Sequence, residues 1–114
     1  QNASAENDRP LETVAFNVLF HRHPAGDHYD LLIEHGPSLA TWKLPQPPES
    51  VDPAGILCTR IADHRRLYLD YEGPISGDRG FVTRHDTGTC DKCCENPGEW
   101  LLTFDGRRLK APRA

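Results

Sequence analysis

Tyr29-Asp30-Leu31-Leu32-Ile33-Glu34, then His35-Gly36-Pro37, then Leu39-Ala40-Thr41-Trp42-Lys43-Leu44: this stretch decides the fold class. Two short runs separated by turn-forming residues read as strands, too short for helices. The same pattern continues on both sides. Val14–Phe20, apolar and β-branched or aromatic at most positions, precedes it. Ile56–Ile61, Leu67–Tyr71, Gly80–Arg84, Trp100–Phe104 and Arg107–Lys110 follow. Pro45-Gln46-Pro47-Pro48, Pro53-Ala54-Gly55, Glu72-Gly73-Pro74, Ser76-Gly77-Asp78-Arg79-Gly80, Asp86-Thr87-Gly88 and Asn96-Pro97-Gly98 punctuate the runs. Asp105-Gly106 marks a two-residue hairpin turn. No window of a dozen residues keeps a 3.6-residue period. The expectation is an all-β fold, a small single-domain β-barrel with short strands and long loops. Residues 1–12 are polar, charged and aperiodic, so a disordered leader is expected there and the folded domain over 13–114.

The chain has 114 residues, 37% of them hydrophobic, 9 Gly and 10 Pro. One modest core and many turns fit that size; a two-domain enzyme with its own cofactor fold does not. No run approaches the roughly 20 apolar residues of a membrane span. No secretory signal is visible, and the absence of Met suggests a processed chain. The net charge is −4, which argues against non-specific coating of nucleic acid. The charge is uneven: residues 1–57 hold 3 basic and 8 acidic side chains, residues 58–114 hold 10 basic and 9 acidic.

Four of the six His lie between positions 21 and 35. In His28-Tyr29-Asp30 the first and third residues share one face of a strand. An imidazole and a carboxylate side by side make half of a metal site, and His21, at the end of the preceding strand, supplies a third ligand. Two imidazoles and one carboxylate leave positions open for water and substrate, as a catalytic metal requires. Against this stands the ordinary reading of surface His near turns. A second cluster is Asp63-His64-Arg65-Arg66-Leu67-Tyr68. Arg binds a phosphate ester through paired N–H donors and His moves a proton; the plain alternative is a solvated basic turn.

Together the clusters resemble a known family. His28-Tyr29-Asp30-Leu31-Leu32-Ile33-Glu34, Ser38-Leu39-Ala40-Thr41-Trp42-Lys43-Leu44-Pro45, and Asp63-His64 through Tyr68-Leu69-Asp70-Tyr71-Glu72-Gly73-Pro74-Ile75-Ser76-Gly77 resemble, in order and spacing, the 3′-phosphoesterase module of bacterial DNA ligase D. The small stand-alone members are the most similar. The resemblance implies a compact β-barrel with a divalent metal, usually Mn²⁺, that trims 3′ ends of DNA or primer strands: a terminal ribonucleoside first, then the 3′-phosphate left behind. It implies His21, His28 and Asp30 as metal ligands, with His23 competing for the first place, and His64 and Tyr68 as catalytic residues. Where the family has an arginine two residues after the aspartate, this chain has Leu32; where it has glutamate, lysine and a further arginine, this chain has Ala62, Gln46 and Ile56. Arg60, Arg65 and Arg66 are the candidate phosphate-binding residues in their place, with Arg79 also available. The implied partners are DNA or DNA/RNA primer 3′ ends and a DNA ligase or end-joining factor. The implied state is a cytoplasmic monomer.

Cys90-Asp91-Lys92-Cys93-Cys94 contains a C-x-x-C. The spacing suits Zn²⁺ at Cys90, Cys93 and Cys94, with Cys58 or His85 completing the set; a cysteine-rich hairpin without metal is the simpler reading. Two other functions compete with trimming. An iron and 2-oxoglutarate oxygenase would use His28, Asp30 and His64 as a facial triad, though the chain is short for that barrel. A metal-binding module that recognises DNA ends or a repair partner, catalytically weakened, fits the unmatched Arg, Lys and Glu positions.

Overall fold

The computed structural model describes residues 12–50, 58–96 and 99–113. Its strands are β1 (Glu12–Arg22), β2 (His28–His35), β3 (Ser38–Leu44), β4 (Thr59–Arg65), β5 (Gly73–Pro74), β6 (Phe81–Asn96), β7 (Glu99–Gly106) and β8 (Lys110–Arg113). They form one antiparallel sheet in the order β4-β3-β2-β1-β6-β7-β8, with β5 added on β6. The fold is all-β, but the sheet is open: β4 and β8 end it, so "barrel" describes it only loosely. No helix among the described residues is long and apolar enough to cross a membrane. Of the expected leader, residues 1–11 lie outside the described residues and Glu12 already begins β1. The turn at 53–55, the start of the run at 56 and the Pro97-Gly98 turn also lie outside them.

Side chains alternate across each strand, and here both faces carry apolar material. Val14, Phe16 and Val18 of β1 meet Leu31 and Ile33 of β2, with Phe104 and Leu109, in the larger cluster. Phe16 and Phe104 pack edge to face at 5.0 Å. The other face holds a smaller cluster of Leu19, Leu32, Leu39 and Val82, covered by Tyr68, Leu69, Tyr71 and Ile75. The run Leu67–Tyr71, expected as a strand, is therefore a short 3-10 turn over Arg66–Leu69. Its neighbours Tyr68 and Leu69 both pack onto the same face, which strand alternation forbids. The buried Asn17 amide donates to the Tyr68 carbonyl at 3.0 Å and ties the turn down.

Asp86-Thr87-Gly88, expected as a turn, lies inside the 16-residue strand β6. The Asp86 carboxylate is buried and accepts the backbone N–H groups of Arg107, Arg108 and Leu109 at 2.9, 3.1 and 2.7 Å. Those three hydrogen bonds fix the β7–β8 turn on Arg107-Arg108, not on Asp105-Gly106; Asp105 pairs with Lys110 across the ladder. Gly106 serves close packing instead: a Cβ there would sit 2.6 Å from Phe16 and 2.7 Å from Asp86.

Candidate metal centre

The β1–β2 register sets His21 directly opposite His28, and Asp30 follows His28 on the same face. His28 Nε2 lies 3.1 Å from Asp30 Oδ1, and His21 Nδ1 lies 3.4 Å from Asp30 Oδ2. One potential ligand atom from each residue falls within 4.8 Å of the others, the one such group of three or more among the described residues. The histidine side chains are 13% and 10% exposed and the aspartate 3%.

The outward nitrogens are already engaged. His21 Nε2–H donates to the Arg79 carbonyl at 2.7 Å, and His28 Nδ1 lies 3.4 Å from the Gly26 carbonyl. On that assignment of tautomers, His21 Nδ1 and His28 Nε2 turn lone pairs toward the Asp30 carboxylate. Lone pairs facing an anion repel unless a cation or protons lie between them. Asp30 Oδ1 is buried and has no hydrogen bond of acceptable geometry. Burial pushes the His28 imidazole below its ordinary value, against the pull of Asp30 and Gly26 and with the help of His21 and Lys43. A neutral imidazole is the metal-ligating form. At metal–ligand distances of about 2.0–2.2 Å, adjacent ligands stand about 3 Å apart, close to the separations seen. The donor set fits a divalent cation.

His23 stays outside the group. Its ring is 5.2 Å from that of His21, but its Nδ1 accepts the Ala25 N–H at 2.9 Å. Its remaining nitrogen is then the protonated one.

The centre opens into a cleft of about 400 Å³. His21, His23 and Asp30 line one side; Asp63, His64, Arg65 and Tyr68 line another. Strand β4 brings His64 there by pairing with Leu39 of β3. His64 Nδ1–H donates to the Ala62 carbonyl at 3.0 Å, which leaves Nε2 for a ligand, and Tyr68 meets the ring edge to face at 5.7 Å. The acidic half of the sequence and the arginine-rich half thus share one cleft.

Of the arginines expected at a phosphate, the structure brings Arg65 to the cleft and neither Arg60 nor Arg66. Arg60 bonds Asp63 at 2.6 Å and lies over the Trp42 ring at 4.9 Å. Arg66 pairs with Glu34 and the Gly36 carbonyl. Leu32 is wholly buried and Gln46 is exposed. Ser76 and Asp63 also line the cleft; the sequence motifs contain both but assign neither a role. The signal available is position: Ser76 opens a turn with two glycines, and Asp63 precedes His64.

The zinc site expected at Cys90, Cys93 and Cys94 has no support. The C-x-x-C lies within strand β6, paired with β7, where a knuckle would need a turn. Cys90 is buried in the larger apolar cluster, and burial pushes its thiol up to about 12, whereas zinc binds thiolate. His85, a candidate fourth ligand, bonds Glu49 at 2.7 Å.

A family model described as the DNA Ligase D 3′-phosphoesterase domain matches residues 20–112, a span that includes every cleft side chain named above. No curated protein matches the chain.

Proposed function

This chain belongs to the DNA ligase D 3′-phosphoesterase domain family, and we propose that it trims 3′ ends of DNA or primer strands in end joining, with Mn²⁺ or another divalent metal held by His21, His28 and Asp30. The observation that carries the reading is the convergence of two imidazole lone pairs and an orphaned carboxylate oxygen beside a cleft that His21 and Asp30 line together with His64. A divalent cation bound there supplies charge neutralisation at a phosphate and activation of water. The remaining steps belong to the protein. Arg65 offers planar paired donors to non-bridging phosphate oxygens as negative charge builds on them. His64, oriented by the Nδ1–H bond to the Ala62 carbonyl, acts in its doubly protonated form: Nε2–H donates to the phosphate and passes its proton to the leaving oxygen, which leaves a neutral imidazole. Tyr68, against the His64 ring, holds it in place. A cleft at the edge of an acidic chain suits one strand end, which needs only local positive charge.

The test is a 5′-labelled primer ending in a ribonucleotide, incubated with Mn²⁺ and with chelator. The expected products are a 3′-phosphate and then a 3′-hydroxyl, both chelator-sensitive. A second reading, a metal-binding module for DNA ends without turnover, draws on Leu32, whose buried side chain offers no cation beside Asp30. Metal-dependent binding of the primer with no product would favour it.

A further inference from the structure

Arg79 touches the centre in two ways. Its carbonyl accepts the His21 Nε2 proton at 2.7 Å. Arg79 lines the cleft, and its guanidinium is held on Ser76, another lining residue: Nε donates to the Ser76 carbonyl at 2.7 Å and Nη2 to Ser76 Oγ at 3.2 Å. The turn between these residues is tightly wound. Gly77, Asp78 and Gly80 take φ of +75°, +55° and +94°, conformations that favour glycine. A Cβ at Gly80 would lie 1.8 Å from the Arg22 carbonyl oxygen, so the turn is seated hard against the end of β1 next to His21.

We infer that the Ser76–Gly80 turn is a two-ended clamp: the Arg79 side chain is a second phosphate-binding group of the cleft beside Arg65, the one that grips a terminal phosphate, and the Arg79 backbone is the positioning group for the metal ligand His21. A guanidinium already fixed by two bonds loses little side-chain freedom when an anion arrives. Its Nη1 amino group and the second Nη2 proton remain to face a phosphate in parallel. Arg65, the other cleft arginine, has no such fixing bond among the described contacts; Arg60 and Arg66 do not line the cleft, and their guanidiniums are paired with Asp63 and Glu34. The same turn therefore sets the tautomer that aims His21 Nδ1 at Asp30 and holds the cation that reads the end of the strand. The ligand class is a phosphate monoester at a 3′ terminus; the inference rests on the phosphoesterase reading for that choice.

The experiment compares two oligonucleotides of one sequence, ending in 3′-phosphate or 3′-hydroxyl, by fluorescence anisotropy in chelator, with Mn²⁺ affinity measured separately by electron paramagnetic resonance. Wild type is expected to prefer the 3′-phosphate. Arg79→Ala keeps the backbone carbonyl, so it should lose that preference by about 10–100-fold and keep its Mn²⁺ affinity. Arg79→Lys should recover part of the preference. Gly80→Ala should weaken both properties together. Arg107→Ala, at the remote β7–β8 turn, should behave as wild type. No 3′-phosphate preference in wild type, or an undiminished one in Arg79→Ala, overturns the inference; so does a fall in Mn²⁺ affinity in Arg79→Ala. An Arg79-dependent preference without Mn²⁺-dependent turnover upholds the clamp and overturns the hydrolytic reading alone.

Discussion

Along β2, Leu31 and Ile33 enter the larger apolar cluster, whereas their alternating neighbours His28, Asp30 and Leu32 look to the other face. The first face is packed with aliphatic and aromatic side chains from β1, β2, β3 and β7, with Cys90 of β6 among them. The second has four fully buried apolar residues, a cover of tyrosines and a 3-10 turn, and then the His-His-Asp group at its end. One strand thus serves two purposes because its side chains alternate. The contrast teaches that stability resides mainly on one face, while the other tolerates a carboxylate with an orphaned oxygen. Such a group costs stability when no partner neutralises it.

Substitutions on the two faces should separate these roles. The largest effect is expected at the carboxylate. Asp30→Asn should reduce Mn²⁺ affinity by well over the roughly 10–100-fold typical of losing an outer partner of a metal ligand. It should leave the metal-free melting temperature unchanged or higher, because a buried charge is removed. A large drop in melting temperature would break the comparison. Phe16→Ala is the mirror case. Loss of the edge-to-face contact with Phe104 and the cavity left behind should cost about 3–5 kcal/mol in denaturant unfolding, with the Mn²⁺ affinity of the folded protein retained.

Asn17→Ala acts on the second face, under the turn that covers it. It leaves the Tyr68 carbonyl without its donor, at a cost of about 1–3 kcal/mol, and loosens the turn that carries Tyr68. Hydrogen exchange should rise at Arg66–Leu69 before it rises in the β1–β2 ladder. The smallest effect is at Glu34. The Ala15 N–H, then Arg66, hold its carboxyl below the ordinary 4.5. A depressed carboxyl adds stability that is present above the ordinary value and fades as pH falls through the folded one. Glu34 is 25% exposed, so the contribution should be below about 1 kcal/mol. Glu34→Gln should flatten that part of the acid limb, and an unchanged limb would assign it elsewhere.

The strands on either side of the His35–Pro37 turn were legible because short runs and turn residues are local. So was the shared face of His28 and Asp30, which follows from a period of two. The opposition of His21 and His28 followed from pairing adjacent strands. The length of β6 was not legible: Asp86-Thr87-Gly88 has turn composition, and its strand conformation depends on N–H groups more than twenty residues away. The choice among arginines was equally hidden. Arg60, Arg65 and Arg66 look alike in sequence, and Asp63 and Glu34 decide which two are turned aside. For the cysteines, spacing suggested zinc, and the burial of Cys90 among apolar side chains removed it.

We propose that this cleft hydrolyses 3′-terminal phosphoesters with a metal held by His21, His28 and Asp30. The most direct measurement is phosphate release from a 3′-phosphorylated primer under saturating Mn²⁺, by wild type and His28→Ala side by side, with bound Mn²⁺ counted in the same samples. Release and bound metal are expected in the wild type and neither in His28→Ala. Equal release by the two proteins would contradict the proposal.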